Sequence, residues 1–163
     1  MKQFGLVDIV TFLCALGSGL IAGLFFVFSN TIMRSLASVP PAHGIAVMQA
    51  INVIILNPLF LTIFMGTAVA GVFLTISAFM NWQAPGQGWL VAGSVLYVVG
   101  SFLVTMVFNV PRNNALAAVA PDSAEGATLW ASYLQTWTAW NHVRAIASLA
   151  AMASFIMALR LRA

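Results

Sequence analysis

Charge is what this chain has least of. Lys and Arg together number 6 of 163 residues and Asp and Glu 3, while 62% of the residues are hydrophobic. A soluble domain carries about 25% charged residues, so this composition cannot coat a water-facing surface. From Ser35 to Pro111 there is no Asp, Glu, Lys or Arg at all. The chain reads as an integral membrane protein.

Other scarcities exclude whole chemistries. One cysteine, Cys14, cannot form an internal disulfide and reads as a small helix-packing residue. Two histidines, with no acidic residue inside an apolar run, make no metal site. Six scattered basic residues are no nucleic-acid surface. No glycine-rich phosphate loop precedes a helix, and no Ser-His-Asp set is available.

Long apolar runs are abundant. A membrane helix needs about 20 such residues, and four spans fit, near Ile9–Phe28, Leu61–Met80, Trp89–Phe108 and Asn141–Leu159. The first exceeds the roughly 7–15-residue core of a cleaved signal peptide and reads as a retained span. "NWQAPGQG", residues 81–88, is a tight turn built on Pro85 and Gly86. The expected fold is all-α: one four-span transmembrane domain over residues 1–163, a four-helix bundle with helical extensions on one side. Asp122 and Glu125 resemble a capping box that starts span four early. A helix from Ser123 to Leu159 would run about 55 Å, against a hydrocarbon core of about 30 Å. "GIAVMQAINVIILNP" reads as an outward continuation of span two, kinked at Pro58. Small-residue pairs Gly19/Gly23, Gly66/Ala70 and Thr67/Gly71 predict close helix contacts and permit a homo-oligomer.

Four spans place both termini on one side. Lys2, Arg160 and Arg162 mark that side and Arg34, Arg112 and Arg144 the other, so the positive-inside count ties. If the second set is functional, the expected location is a bacterial inner membrane with cytoplasmic termini and the site towards the outer face.

Polar residues gather at the end opposite the termini. Span one ends in Ser29, Asn30 and Arg34. Gln49, Asn52 and Asn57 precede span two, and Asn109 and Arg112 close span three. Span four must draw "WNHVR" into the membrane, because Ala145–Leu159 covers only about 22 Å. Ionisable groups at that depth mark functional sites by default. Each also has a plain structural reading. Arginines snorkel to headgroups, a neutral histidine bonds across a bundle, and Trp130, Trp137 and Trp140 could form an interfacial belt. His43 falls in an expected loop after Pro40 and Pro41. On a helix Trp137, Asn141, Arg144 and Ser148 share one face, while His142 points about 100° away from Asn141.

"GLFFVFSNTIM", "NPLFLTIF", "VFNVPRNNALA" and "WTAWNHVRAIASLAA" together resemble the anthrone oxygenase-like family of small four-span membrane proteins. The family is named for members that oxidise anthrones to anthraquinones. The resemblance points to Asn109, Arg112, Asn113 and Asn114 in one run and Trp140, Asn141, His142 and Arg144 in the other, with Asn30 and Pro58 as weaker matches. It implies oxidation of an enolisable, apolar or aromatic substrate by dioxygen with no cofactor and no metal. His142 is the expected general base, kept neutral by burial and a nearby arginine. Arg112 and Arg144 are expected to stabilise the enolate oxygen. Asn30, Asn109, Asn113, Asn114 and Asn141 would orient the substrate between the flat walls of Trp137 and Trp140. The alternatives are small-molecule binding or transport, or a quinone- or haem-holding membrane protein, neither of which needs oxygen consumption. The expected partners are the apolar substrate, dioxygen and the lipid bilayer, with no nucleic acid.

Overall fold

The computed structural model describes residues 5–162, and every regular element among them is helical. Four helices are long and apolar enough to cross a membrane: α1 (Leu6–Ala37), α3 (Pro58–Met80), α4 (Gln87–Ala117) and α5 (Ala124–Arg162). A shorter apolar helix, α2 (Pro41–Ile54), lies between α1 and α3. The protein is therefore an integral membrane protein of packed helices, as the composition requires.

Each boundary has a local cause. The main-chain N–H of Gly5 donates to Asp8 Oδ2 at 3.1 Å, closing the start of α1. Pro41 opens α2 at the position where a missing N–H costs nothing. The expected kinked continuation of span two is instead a break. Asn57 is extended (φ −81°, ψ 158°), and its Oδ1 accepts from Phe60 N at 3.0 Å, so α3 starts afresh with Pro58 in its first turn. The turn before α4 is where the sequence places it, with Gly86 in the left-handed region at φ 82°. At α5 the cap is Ser123 rather than Asp122. Its Oγ accepts from Gly126 N at 2.9 Å, one residue later than the capping-box pattern implies.

The long helices form a ring in which α1 packs on α3 and α5, and α4 packs on the same two. The small residues at these contacts are not all those expected. A Cβ on Gly93 would sit 2.8 Å from the Phe155 ring, and one on Gly17 would collide with Thr67 Oγ1. A Cβ on Gly23 or Gly66 would meet nothing within 4 Å, so those two face outwards. Polar ties run between helices: Tyr97 Oη donates to Phe64 O at 3.2 Å, and Ser148 Oγ pairs with Ser101 Oγ at 2.9 Å. In lipid such packing and bonding replace the hydrophobic effect between helices.

A second apolar cluster sits beyond the bundle, where α2 covers the ends of α1, α4 and α5. Phe28, Met33, Ile45, Met48, Leu116, Trp130, Tyr133 and Trp137 form it. Gln49 Nε2 donates to Leu116 O at 2.8 Å and Val119 O at 3.0 Å, which fastens α2 to the end of α4. At the other end Arg162 Nε meets Asp8 Oδ1 at 2.7 Å, so α1 begins where α5 finishes. The extensions therefore project on the side away from the termini.

Candidate functional site

Two of the long helices lose their α register near the cap. α1 is π-helical over Phe28–Ile32, and α4 over Val98–Leu103 and Thr105–Asn109. Such segments loosen the i→i+4 ladder and recur at functional sites. Here they bring Ser29, Thr105 and Asn109 against the middle of α5.

Arg144 is the centre of what they enclose. It is 4% exposed. Its Nη1 donates to Thr105 Oγ1 at 3.2 Å, and its Nη2 to Asn141 Oδ1. The guanidinium lies 4.0 Å over the Phe25 ring and 5.0 Å from the Trp137 ring. Nε is buried and unpartnered. A guanidinium has five N–H donors, and the protein engages only two of its nitrogens here. No carboxylate is near. Of the three acidic residues, Asp8 pairs with Arg162 at the far end, Glu125 is 19 residues up the same helix, about 28 Å, and Asp122 lies just before that helix begins. Burying an uncompensated cation is costly. Hydrogen bonds and ring faces hold this one without neutralising it.

Asn141 fixes that arginine to α1. It is fully buried, and its Nδ2 donates to Phe25 O at 2.7 Å and Ser29 Oγ at 2.6 Å. Asn113 is held as firmly. Its Oδ1 accepts from Tyr133 Oη and from Trp137 Nε1, each at 2.8 Å. Two donors on one oxygen set the amide's orientation and leave Nδ2 to donate elsewhere.

Arg144, Thr105, Asn113, Phe25 and Trp137 line a cavity of about 290 Å³ under α2. Arg144 and Thr105 are its polar floor, and Phe25, Phe28, Phe60 and Trp137 its aromatic walls. Asn113 and Asn114 also line it, as do exposed Val53 and Leu56. Its size is near the lower end of the roughly 300–1,000 Å³ range of small-molecule sites. Its lining contains no His, Asp, Glu or Cys. No cluster of three or more such residues exists among the described residues, so no donor set for a metal is present there.

The remaining sequence candidates lie elsewhere. His142 is exposed rather than buried, and lines a separate groove with Asn30. Arg112 borders neither space: its Nε donates to Thr136 Oγ1 at 3.1 Å and its Nη1 to Phe108 O at 2.6 Å, bracing α4 on α5. Asn109 is fully buried behind the cavity, its Nδ2 donating to Trp137 O at 3.2 Å and its Oδ1 unpartnered. Trp140 stacks on Phe108 with ring centroids 3.6 Å apart, outside the cavity lining. The structure thus brings together Arg144, Asn113, Asn114 and Trp137, with Asn141 behind them, and keeps His142, Asn30, Arg112 and Trp140 apart from that group.

Sequence reading does not single out Thr105, Tyr133 or Phe25. Thr105 sits four residues before Asn109, and Tyr133 four before Trp137, so helical spacing from the chosen residues would have found both.

Residues 60–154 match the family described as anthrone oxygenase. No curated protein and no solved structure matches the chain. The match covers more than half of the sequence and contains Thr105, Asn113, Trp137, Asn141 and Arg144. The chain belongs to the anthrone oxygenase family.

Proposed function

We propose that the Arg144 cavity binds an enolisable aromatic ketone of the anthrone class and presents its enolate to dioxygen. One observation carries this reading: a buried guanidinium with no carboxylate partner forms the floor of an aromatic-lined cavity. Such a charge favours the anionic form of a bound ketone, and low dielectric strengthens the effect. The methylene proton leaves to water, because the cavity lining holds no base. The enolate carbon then adds dioxygen, and protonation gives a hydroperoxide. Loss of the second methylene hydrogen as a proton, with cleavage of the O–O bond, releases water and leaves a carbonyl. The sum is one CH₂ and one O₂ giving one C=O and one H₂O. Asn113 Nδ2 holds the ring system in register, and the aromatic walls formed by Phe25, Phe28, Phe60 and Trp137 pack around it.

Oxygen uptake by detergent-solubilised protein given an anthrone tests the proposal, with Arg144→Gln alongside. Loss of one oxyanion donor costs about 10²–10³ in rate, and the variant should fall in that range while a chelator changes nothing. A loss below about tenfold would overturn the role of Arg144. The lack of a base in the cavity also supports a second reading, a binding protein for an apolar anion. Saturable anthrone binding without uptake above the spontaneous rate would establish it.

The proposed setting is a bacterial inner membrane, termini cytoplasmic and cavity towards the outer face. The support is that Arg144 and Arg112 are engaged inside the protein, which leaves Arg34 as the topological charge on the cap side against Lys2 and Arg160 on the terminal side. A cysteine placed at exposed Asp122 should react with a membrane-impermeant thiol reagent in intact cells. Reaction only after lysis would reverse the orientation.

A further inference from the structure

A groove of about 700 Å³ runs along the outside of the protein between α1 and α5. The Ser29–Asn141 hydrogen bond lies between it and the Arg144 cavity, since Ser29 lines the groove and Asn141 holds Arg144. Its two ends differ in chemistry. Towards the cap it is lined by Asn30, Arg34, Thr138 and His142. Towards mid-membrane it is lined by Gly19, Gly23, Ile146, Leu149 and Met152, with no polar side chain.

The polar end is equipped for an anion. Arg34, Asn30 and His142 are exposed, none makes a side-chain hydrogen bond, and no acidic residue lines the groove. Thr138 Oγ1 has no partner either. The length is also informative. From His142 to Met152 is about 15 Å along α5, half of a hydrocarbon core of about 30 Å. A cationic head followed by an apolar trough one leaflet deep matches a membrane lipid. A second outward groove, between α1 and α3, has about 420 Å³ and no charged lining, so apolar relief alone does not bring charge with it.

We propose that the α1/α5 groove binds a lipid with an anionic headgroup, its phosphate at Arg34 and His142 and one acyl chain laid over Gly19 and Gly23. The missing side chain at Gly23 makes the room, since a Cβ there meets nothing within 4 Å. Arg34 and the hydrogen-bonding groups beside it select the phosphate, and the helices below accept the chain.

Native mass spectrometry of the full-length protein in detergent tests this. The probes are phosphatidylglycerol, phosphatidylcholine with the same acyl chains, and inorganic phosphate. Phosphatidylglycerol should bind about fivefold more tightly than phosphatidylcholine, the effect of one basic side chain near a membrane surface. Arg34→Gln should remove that preference without weakening phosphatidylcholine. Gly23→Leu, which has space to fold, should weaken both lipids about tenfold, as when two methylenes lose contact. Equal binding of the two lipids by the unaltered protein would overturn the proposal. So would displacement of phosphatidylglycerol by an equal concentration of inorganic phosphate. A dimer that Gly23→Leu abolishes would likewise overturn it by assigning the groove to a second copy of the chain.

Discussion

At the scale of single residues, the proposed chemistry rests on one uncompensated charge. The contacts of Arg144 with Thr105, Asn141 and Phe25 stabilise a cation without cancelling it, so the cavity keeps a positive floor ready for an oxyanion. His142 is only two positions away, yet 3.6-residue periodicity turns it about 200° round α5, onto the face that lines the groove. A general base contributes about 10²–10⁴ in rate. His142→Ala should therefore cost less than 10² in anthrone oxidation, and a larger loss would restore His142 as the base. The divided face of α5 was legible in the residue spacing. The separation of the two spaces was not, because it depends on the hydrogen bond from Asn141 to Ser29, a contact between α5 and α1 that spacing along one helix does not show.

Among the elements, apolar run length predicted four membrane helices and their order, because hydrocarbon thickness sets a minimum that few other structures satisfy. Helix ends were harder to place. α1 runs to Ala37 and α4 to Ala117, past the apolar spans, because the cap gives their polar ends something to pack on. Pro111 lies in α4 within a turn of the π-helical segment, where a lost N–H disturbs the ladder least. The separate start of α3 follows from Asn57 capping Phe60 immediately before Pro58, a local signal that outweighs the apolar continuity across it. Small-residue spacing misled at Gly23 and Gly66 because a glycine pattern is the same whether it faces a helix or lipid. The candidate site was half legible for a related reason. Spacing on one helix identifies a face, but cannot say that Arg112 ends on Phe108 O and Thr136 while Arg144 ends beneath a cavity.

Over the whole molecule, the two ends of the bundle differ. The terminal end is closed by Asp8 and Arg162, whereas the cap end holds the cavity, the polar head of the groove and the second apolar cluster. Val53 and Leu56 line the cavity and are exposed, so in the proposed function an apolar ketone dissolved in the bilayer would enter past them, and dioxygen partitions into the same phase. In the proposed function, Arg144 turns a bound ketone into its enolate. The most direct test is the absorption spectrum of an anthrone bound to the protein without oxygen at neutral pH, for the unaltered chain and for Arg144→Gln. An enolate band is expected in the first and not in the second, where only the ketone spectrum should remain. The same band in both proteins, or in neither, would contradict it.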